Sequence, residues 1–201
     1  VTVNPLPSGT LTPSANPVCQ GNSITITASP GFTNYNFKVN GAAVQNGSGN
    51  TYTTSLFNNN DVVTVDVTNS SGCISTFGSL TINVNPVPTG TLTLTENSGI
   101  AANDGIICTG ATVLFTAPSG YSNYSFLVNG ATVQTGSSNT YSNNNFNTGD
   151  NITVSVSNSS GCVSLLNSIT LTVNPLPVVA GITGTTSVCV GNTTTLSDAT
   201  S

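Results

Sequence analysis

Internal repetition is the feature that most constrains what this chain can fold into. The motif Asn-Pro-hydrophobic-Pro occurs three times, at Asn4–Pro7, Asn85–Pro88 and Asn174–Pro177. A 19-residue segment that begins at Asn34 matches another that begins at Asn123, 89 residues later, and differs from it at only five positions. Similar sequence at a fixed spacing indicates similar structural units along the chain. The fold must therefore be one that a segment of this length can form more than once.

These copies define the predicted domain organisation. The distance from the Asn-Pro motif to the following cysteine is longer in the second copy, and an insertion accounts for the difference. We predict four segments, in chain order: 1–3, the end of a preceding repeat; 4–84, repeat one; 85–173, repeat two, with the insertion near 96–105; and 174–201, the truncated start of a third repeat.

The spacing of apolar residues predicts β-strands. Each copy contains runs in which apolar and polar residues strictly alternate, a pattern typical of strands with one buried face. Asn40-Gly41 and Asn129-Gly130 lie between such runs and predict tight hairpins, since Asn and Gly tolerate positive φ. About seven strands per repeat predict an all-β fold of tandem antiparallel sandwiches, immunoglobulin-like in the broad sense that includes PKD and fibronectin-III domains. The alternating apolar residues are Ile24, Ile26, Ala28, Val63, Val65, Val67, Leu80, Ile82 and Val84 in the first copy and Val113, Phe115, Ala117, Ile152, Val154, Val156, Ile169, Leu171 and Val173 in the second.

The near-absence of charge excludes several classes of partner. Lys38 is the only basic residue, and the formal net charge is −5. Nucleic-acid binding needs Lys and Arg to displace counterions from phosphate, and an anionic membrane surface attracts the same residues. The sequence has no apolar run long enough to span a bilayer. We therefore predict no nucleic-acid partner and no membrane insertion.

Catalytic and metal-binding residue types are scarce as well. The chain has no histidine, which excludes Ser-His-Asp and Cys-His arrangements. Asp61 and Asp150 occupy equivalent positions before a strand and are predicted to form turns. We predict no metal site: Glu96 and Asp104 in the insertion offer oxygen ligands of the kind that Ca²⁺ prefers, but two acids make a weak site, and a plain polar loop is the expectation. We predict a protein that is not an enzyme and has no cofactor.

Cysteines recur at equivalent positions in the copies. The five are Cys19, Cys73, Cys108, Cys162 and Cys189. Cysteines at repeated positions in a chain with so few charged residues indicate disulfides and an oxidising, extracellular compartment. One pairing stays within the repeats, Cys19–Cys73 and Cys108–Cys162. The other is an inter-domain bond, Cys19–Cys162, which arises because an immunoglobulin-like topology separates the two cysteines of a repeat by a strand of ~23 Å, whereas bonded Cα atoms lie within ~7 Å.

Two short motifs resemble a known group of proteins. The segments Cys19–Asn22 and Cys189–Asn192 share the pattern Cys-x-Gly-Asn, and Ser71–Cys73 and Ser160–Cys162 read Ser-Gly-Cys. The second copy departs from the first pattern with Cys108-Thr-Gly-Ala. The motifs resemble PKD-like and immunoglobulin-like tandem repeats of large Bacteroidetes cell-surface adhesins, including gliding-motility adhesins that the type 9 secretion system exports. The resemblance implies secretion and display at the cell surface.

The expected function is that of a structural spacer or stalk in a large secreted adhesin or filament. Two prolines in each four-residue linker favour an extended connection with few rotational options. The alternatives are a glycan- or surface-binding adhesive module and a self-assembling extracellular filament subunit. The expected partners are neighbouring repeats of the same chain, other copies of the protein, and surface glycans.

Overall fold

The computed structural model describes residues 2–99 and 101–197, and the regular elements in these ranges are all β-strands. The prediction of an all-β fold is confirmed. Across these ranges, no helix has the length and apolar character that a membrane span requires. By its contacts the chain divides into two compact units. The first holds the described residues up to Thr89 together with Gly120–Asn123 and Val156–Leu165, and the second holds the rest.

The first repeat forms two antiparallel sheets. Their strand orders are β1-β3-β6 and β5-β4-β7-β8, and a short parallel pair joins β2 to β9. Two such sheets with crossing connections form the predicted immunoglobulin- and fibronectin-III-like sandwich. The strands are β1 (Leu11–Pro13), β2 (Val18–Cys19), β3 (Ile24–Ala28), β4 (Asn34–Val39), β5 (Ala42–Gly47), β6 (Thr51–Thr54), β7 (Asp61–Thr68), β8 (Ile74–Ile82) and β9 (Val84–Asn85).

Alternation along the strands places the core between these sheets. Ile24 and Ile26 in β3 are 1% and 0% exposed, while Thr25 between them is only half-buried. Valines of β7 and the aromatic rings of Tyr35 and Phe37 in β4 are buried with them in one cluster. Burying each of these side chains contributes roughly 1.5–3 kcal/mol. The period-two pattern in the sequence therefore identifies the buried face correctly.

Turn residues end the strands where the sequence predicts. Asn40 and Gly41 have φ of 50° and 83°, and the pair connects β4 to β5. Positive φ at both central positions matches the right-handed twist of the strands on either side. Asn129 and Gly130 repeat this turn in the second repeat, with φ of 51° and 79°.

A bulge interrupts the last long strand of the first repeat. Opposite β7, the register of β8 shifts between Val63 and Val65, at the position of Gly78. Gly78 has φ of 75°, and an added Cβ would lie 2.7 Å from Cδ1 of Leu11. Glycine fits here because it accepts left-handed backbone and leaves room for the leucine. The predicted alternation of Leu80, Ile82 and Val84 therefore begins after the bulge.

The second repeat has the same plan. Its sheets have the orders β10-β12-β15 and β14-β13-β16-β17, with β18 also paired to β16 and β11 parallel to β19. The alternating residues that were predicted to be buried in β12 and β16 are at most 2% exposed. The strands are β10 (Thr93–Thr95), β11 (Ile106–Cys108), β12 (Val113–Thr116), β13 (Asn123–Val128), β14 (Ala131–Gly136), β15 (Thr140–Asn143), β16 (Asn151–Ser157), β17 (Val163–Leu165), β18 (Ile169–Thr170) and β19 (Thr172–Asn174).

Among the described residues after β19, the strands form one small hairpin. Strands β20 (Thr183–Gly184) and β21 (Leu196–Ser197) pair with each other, and their residues are exposed. The predicted segments at the two ends and in the insertion extend over Val1, Ile100 and residues 198–201, which lie outside the described residues. The division into segments 1–3, 4–84, 85–173 and 174–201 stays a prediction.

Candidate functional site: a linker held by a disulfide

The linker that follows β9 is anchored on one side by β2. The two strands run parallel, so that Val18 lies beside Val84 and Cys19 lies beside Asn85. The amide of Gln20 donates to the carbonyl of Asn85 over 2.9 Å, which extends the pairing by one residue. Cys19 is thereby fixed where the first repeat ends and the linker begins.

A tight turn of the second repeat contacts the linker from the other side. Asn158 Oδ1 accepts hydrogen bonds from the amides of Ser160 and Cys162, at 3.1 and 3.0 Å, and so closes the turn. Gly161 completes it with φ of 77°. The side-chain amide of Asn158 donates outward, over 2.8 Å, to the carbonyl of Pro86. Proline has no amide hydrogen, so its carbonyl is the group through which the linker can be held.

Cys19 and Cys162 form a disulfide across this contact. Their Cα atoms are 5.5 Å apart, and both residues belong to the first compact unit. Cys162 is only 1% exposed. This is the second of the two pairings that the sequence left open. Cys73, Cys108 and Cys189 are free thiols in the structure.

The pairing of Cys19 with Cys73, and with it Cys108 with Cys162, is not the one that the structure has. Cys73 immediately precedes β8, whereas Cys19 pairs beside Asn85, which comes after the far end of that strand. Nine residues of strand span about 30 Å. Disulfide geometry requires Cα atoms within about 7 Å, so the two cysteines of one repeat lie too far apart.

Tyr121 adds a third attachment. Its hydroxyl donates to the carbonyl of Thr89 over 2.6 Å and accepts from the amide of Thr89 over 2.9 Å. Both residues belong to the first unit. Sequence reasoning missed Tyr121 and Asn158 as linker contacts. Phe32, at the position equivalent to Tyr121, lacks the hydroxyl, and that difference between the copies is the signal that the sequence offered.

The acidic residues of the insertion organise its loop. Glu96 is 4% exposed, and its two carboxylate oxygens accept hydrogen bonds from the amides of Ser98 and Asp104, at 2.7 and 3.2 Å. Asp104 Oδ1 accepts from the amide of Ile106 over 2.8 Å. The carboxylates of Glu96 and Asp104, the candidate calcium ligands, thus accept hydrogen bonds from backbone amides. Within residues 2–99 and 101–197, no group of three or more His, Cys, Asp or Glu is placed to hold a metal ion.

Lys38 lies on the outer face of β4 and forms an ion pair with Asp66. Desolvation raises the pKa of the Asp66 carboxyl. Hydrogen bonds from Lys38, Thr76 and Asn36, together with the positive charge of Lys38, lower this pKa by more than desolvation raises it, so the net shift is downward. Asn36 Oδ1, next to this group, is buried without a hydrogen-bond partner. Asn36, Asp66 and Thr76 lie side by side on adjacent strands, because Asn36 pairs with Asp66 and Asp66 pairs with Thr76.

An open depression of about 310 Å³ lies on the first unit. Tyr52 and the exposed side chain of Leu56 give it an apolar wall. On its polar side the side-chain amide of Asn40 donates to Asp61 over 2.8 Å, and Asp61 also accepts from the backbone amide of Asn58. Asp61 therefore closes a turn, as predicted. Tyr35 and Tyr124, equivalent tyrosines of the two repeats, are each 2% exposed and belong to the core.

Comparison with solved structures finds matches of low sequence identity. No protein-family model matches the chain, and no curated protein matches it. Fibronectin(III)-like modules of Clostridium thermocellum CbhA are 14% identical over 82% of this chain and 94% of theirs, with a TM-score of 0.40. A Ca²⁺-stabilised adhesin with which an Antarctic bacterium binds ice is 17% identical over 90% of this chain and 52% of its own, with a TM-score of 0.43. Murine CEACAM1b is 12% identical over 83% and 100%, with a TM-score of 0.37. The fold assignment rests on the strand order described above.

Proposed function

We propose that this chain is a structural spacer of a secreted cell-surface protein, in which covalently fixed linkers transmit load from one repeat to the next. The observation that carries the proposal is the linker itself. One disulfide and hydrogen bonds from Asn158 and Tyr121 hold the four residues that follow β9, residues 86–89. A linker that served only as a flexible tether would need none of these contacts.

The surface and the cysteines support the same function. With one basic and six acidic residues in 201, the chain offers little charge for steering a partner. A disulfide persists in an oxidising compartment, which favours an extracellular location. The Cys-x-Gly-Asn and Ser-Gly-Cys motifs support the narrower proposal that the parent protein belongs with the large Bacteroidetes adhesins, of the gliding-motility type that the type 9 system secretes.

Pulling on the chain from its two ends tests the spacer function. The disulfide joins residues 143 positions apart, so force cannot extend the segment between them while the bond is intact. At about 3.5 Å per extended residue, the oxidised chain should lengthen to roughly 200 Å and the reduced chain to roughly 700 Å. Optical tweezers with enzymatically attached handles, which leave the cysteines untouched, measure this difference directly.

The control for the pulling experiment is Cys108→Ala. Cys108 occupies the position equivalent to Cys19 but is a free thiol, so its loss should leave the oxidised length unchanged. Cys19→Ala should extend fully without reductant. An oxidised wild-type chain that extends as far as the reduced one would contradict the proposal.

A second candidate function is glycan or surface recognition at the depression beside Tyr52. An exposed apolar side chain next to an aromatic ring and polar groups is the arrangement that favours it. The second repeat supplies a matched variant, since Asn145 stands where the first repeat has Leu56. Glycan-array binding by the intact chain that Leu56→Asn abolishes would favour recognition, and no binding by either protein would favour the spacer.

A further inference from the structure

Two free cysteines lie in the same surroundings as the two bonded ones. Cys73 occupies the turn position of Cys162 in the first repeat, and Cys108 occupies the strand position of Cys19 in the second. Each is partly exposed in the structure, whereas Cys189 lies in the terminal segment and is exposed. The backbone contacts around Cys73 and Cys108 also match those around the bonded pair.

The turn that carries Cys73 reproduces the turn that carries Cys162. Asn69 Oδ1 accepts from the amide of Cys73 over 2.9 Å, and the amide of Asn69 donates to the carbonyl of Cys73 over 3.0 Å. In the bonded turn the same two distances, from Asn158 to Cys162, are both 3.0 Å. The turns are therefore equivalent in their backbone geometry.

The turn of Cys73 also holds a linker in the same way. The side-chain amide of Asn69 donates to the carbonyl of Pro5 over 3.1 Å, as Asn158 donates to Pro86 over 2.8 Å. Pro5 and Pro86 are the first prolines of two Asn-Pro-x-Pro motifs. The contact that brings a linker to the bonded cysteine is thus present at the free one.

Cys108 has the surroundings of Cys19. It pairs in parallel with Asn174, as Cys19 pairs with Asn85. The amide after Cys108 donates to the carbonyl of Asn174 over 2.9 Å, the distance also found between Gln20 and Asn85. Each of these cysteines precedes the asparagine of the following linker by 66 residues. Cys108 is therefore presented at the start of a linker as Cys19 is.

We propose that Cys73 and Cys108 each form a disulfide of the Cys19–Cys162 kind with a flanking module. Each flanking module is of the same fold and is joined through an Asn-Pro-x-Pro linker. Cys73 takes a strand cysteine of the Cys19 type, and Cys108 takes a turn cysteine of the Cys162 type. The inference deepens the proposed spacer function, because it makes every junction of an array covalent.

Formation of each bond is an ordinary thiol–disulfide exchange. The thiolate of one cysteine attacks a small-molecule disulfide such as oxidised glutathione, and one small thiolate leaves. The thiolate of the partner cysteine then attacks the mixed disulfide and displaces the second small thiolate. The two cysteines lose two electrons and two protons in total, and the small disulfide is reduced to two thiols.

A lengthened chain tests the half at Cys73. Residues 1–84 are placed directly before residues 4–201, so that an added copy of the first repeat runs through Asn4–Pro7 into the complete chain. The added copy carries Cys73→Ser, so that Cys73 occurs only once, and Ser23→Thr at an exposed position, which distinguishes the added copy's Cys19 peptide by mass from that of the complete chain. After oxidation in a glutathione buffer and blocking of free thiols, chymotryptic mapping without reduction should find Cys73 bonded to the added copy's Cys19.

The original Cys19–Cys162 bond serves as the internal control for folding. If that bond forms while Cys73 is alkylated, or if Cys73 instead bonds its own repeat's Cys19, the proposal is overturned for this half. A parallel chain in which residues 85–173 are duplicated, with Cys108→Ser and the exposed Ser160→Thr in the added copy as mass label, tests Cys108 against the added copy's Cys162, with the same two outcomes. Either test can fail while the pulling experiment succeeds, since that experiment depends only on Cys19 and Cys162.

Discussion

Replacing Cys19 by alanine isolates the energetic effect of the disulfide. The bond closes a loop of 143 residues, and the chain-entropy relation for a loop of that length gives about 5 kcal/mol at 25 °C. The free energy of unfolding of the variant should be lower by this amount, because its denatured state regains the conformational freedom that the bond removes. The cysteine itself is only partly buried, so truncating it to alanine costs little in packing.

Equilibrium unfolding in guanidinium chloride, followed by tyrosine fluorescence, measures the effect. With the denaturant dependence usual for a domain of this size, the midpoint of the transition should fall by about 1 M. Dithiothreitol should lower the midpoint of the wild-type chain to the same value and leave the variant unchanged. Cys108→Ala is the matched control, since it removes a free thiol from the equivalent strand position and should not move the midpoint.

Equal midpoints for Cys19→Ala and the wild-type chain, with the bond shown to be intact in the latter, would refute this reasoning. Such a result would mean that the denatured chain stays compact enough for the bond to restrict it little. A fall in the midpoint of Cys108→Ala as large as that of Cys19→Ala would be equally damaging, because it would assign the loss to local packing of the strand.

Two further predictions concern the first repeat. Gly78→Ala should destabilise the chain by about 1–3 kcal/mol more than Gly21→Ala, because both glycines have positive φ but only at Gly78 would the methyl group overlap a neighbour, Leu11; thermal unfolding of the two variants compares them, and equal losses would exclude the overlap. The lowered pKa of Asp66 implies stability that is complete above the unfolded pKa of about 4 and is lost as pH falls through the folded value. Urea unfolding between pH 6 and pH 2 should therefore show a loss about 0.2–1 kcal/mol larger for the wild-type chain than for Asp66→Asn, and parallel pH curves would show that the Lys38 pair contributes nothing.

The strands and hairpins of this protein follow from its sequence because they depend on local rules. Alternation at Ile24, Ile26 and Val63 identifies the buried face of a strand without knowledge of its neighbours. Asn40-Gly41 specifies a turn through the φ values that these two residues tolerate. The bulge at Gly78 could not be predicted from the pattern, because a single glycine among alternating polar and apolar residues looks the same whether the strand continues or shifts its register.

The sequence by itself thus determined that the chain repeats, that each repeat is a β-sandwich, and that its cysteines belong to equivalent places. Only the tertiary structure decided which cysteines meet. A disulfide depends on the distance between residues 143 positions apart, and no local periodicity encodes that distance. The contacts of Asn158 and Tyr121 with the linker also depend on the tertiary structure. Asn158 binds a backbone carbonyl 72 residues away in the sequence, and Tyr121 binds one 32 residues away. The folding of the chain brought both residues to the linker.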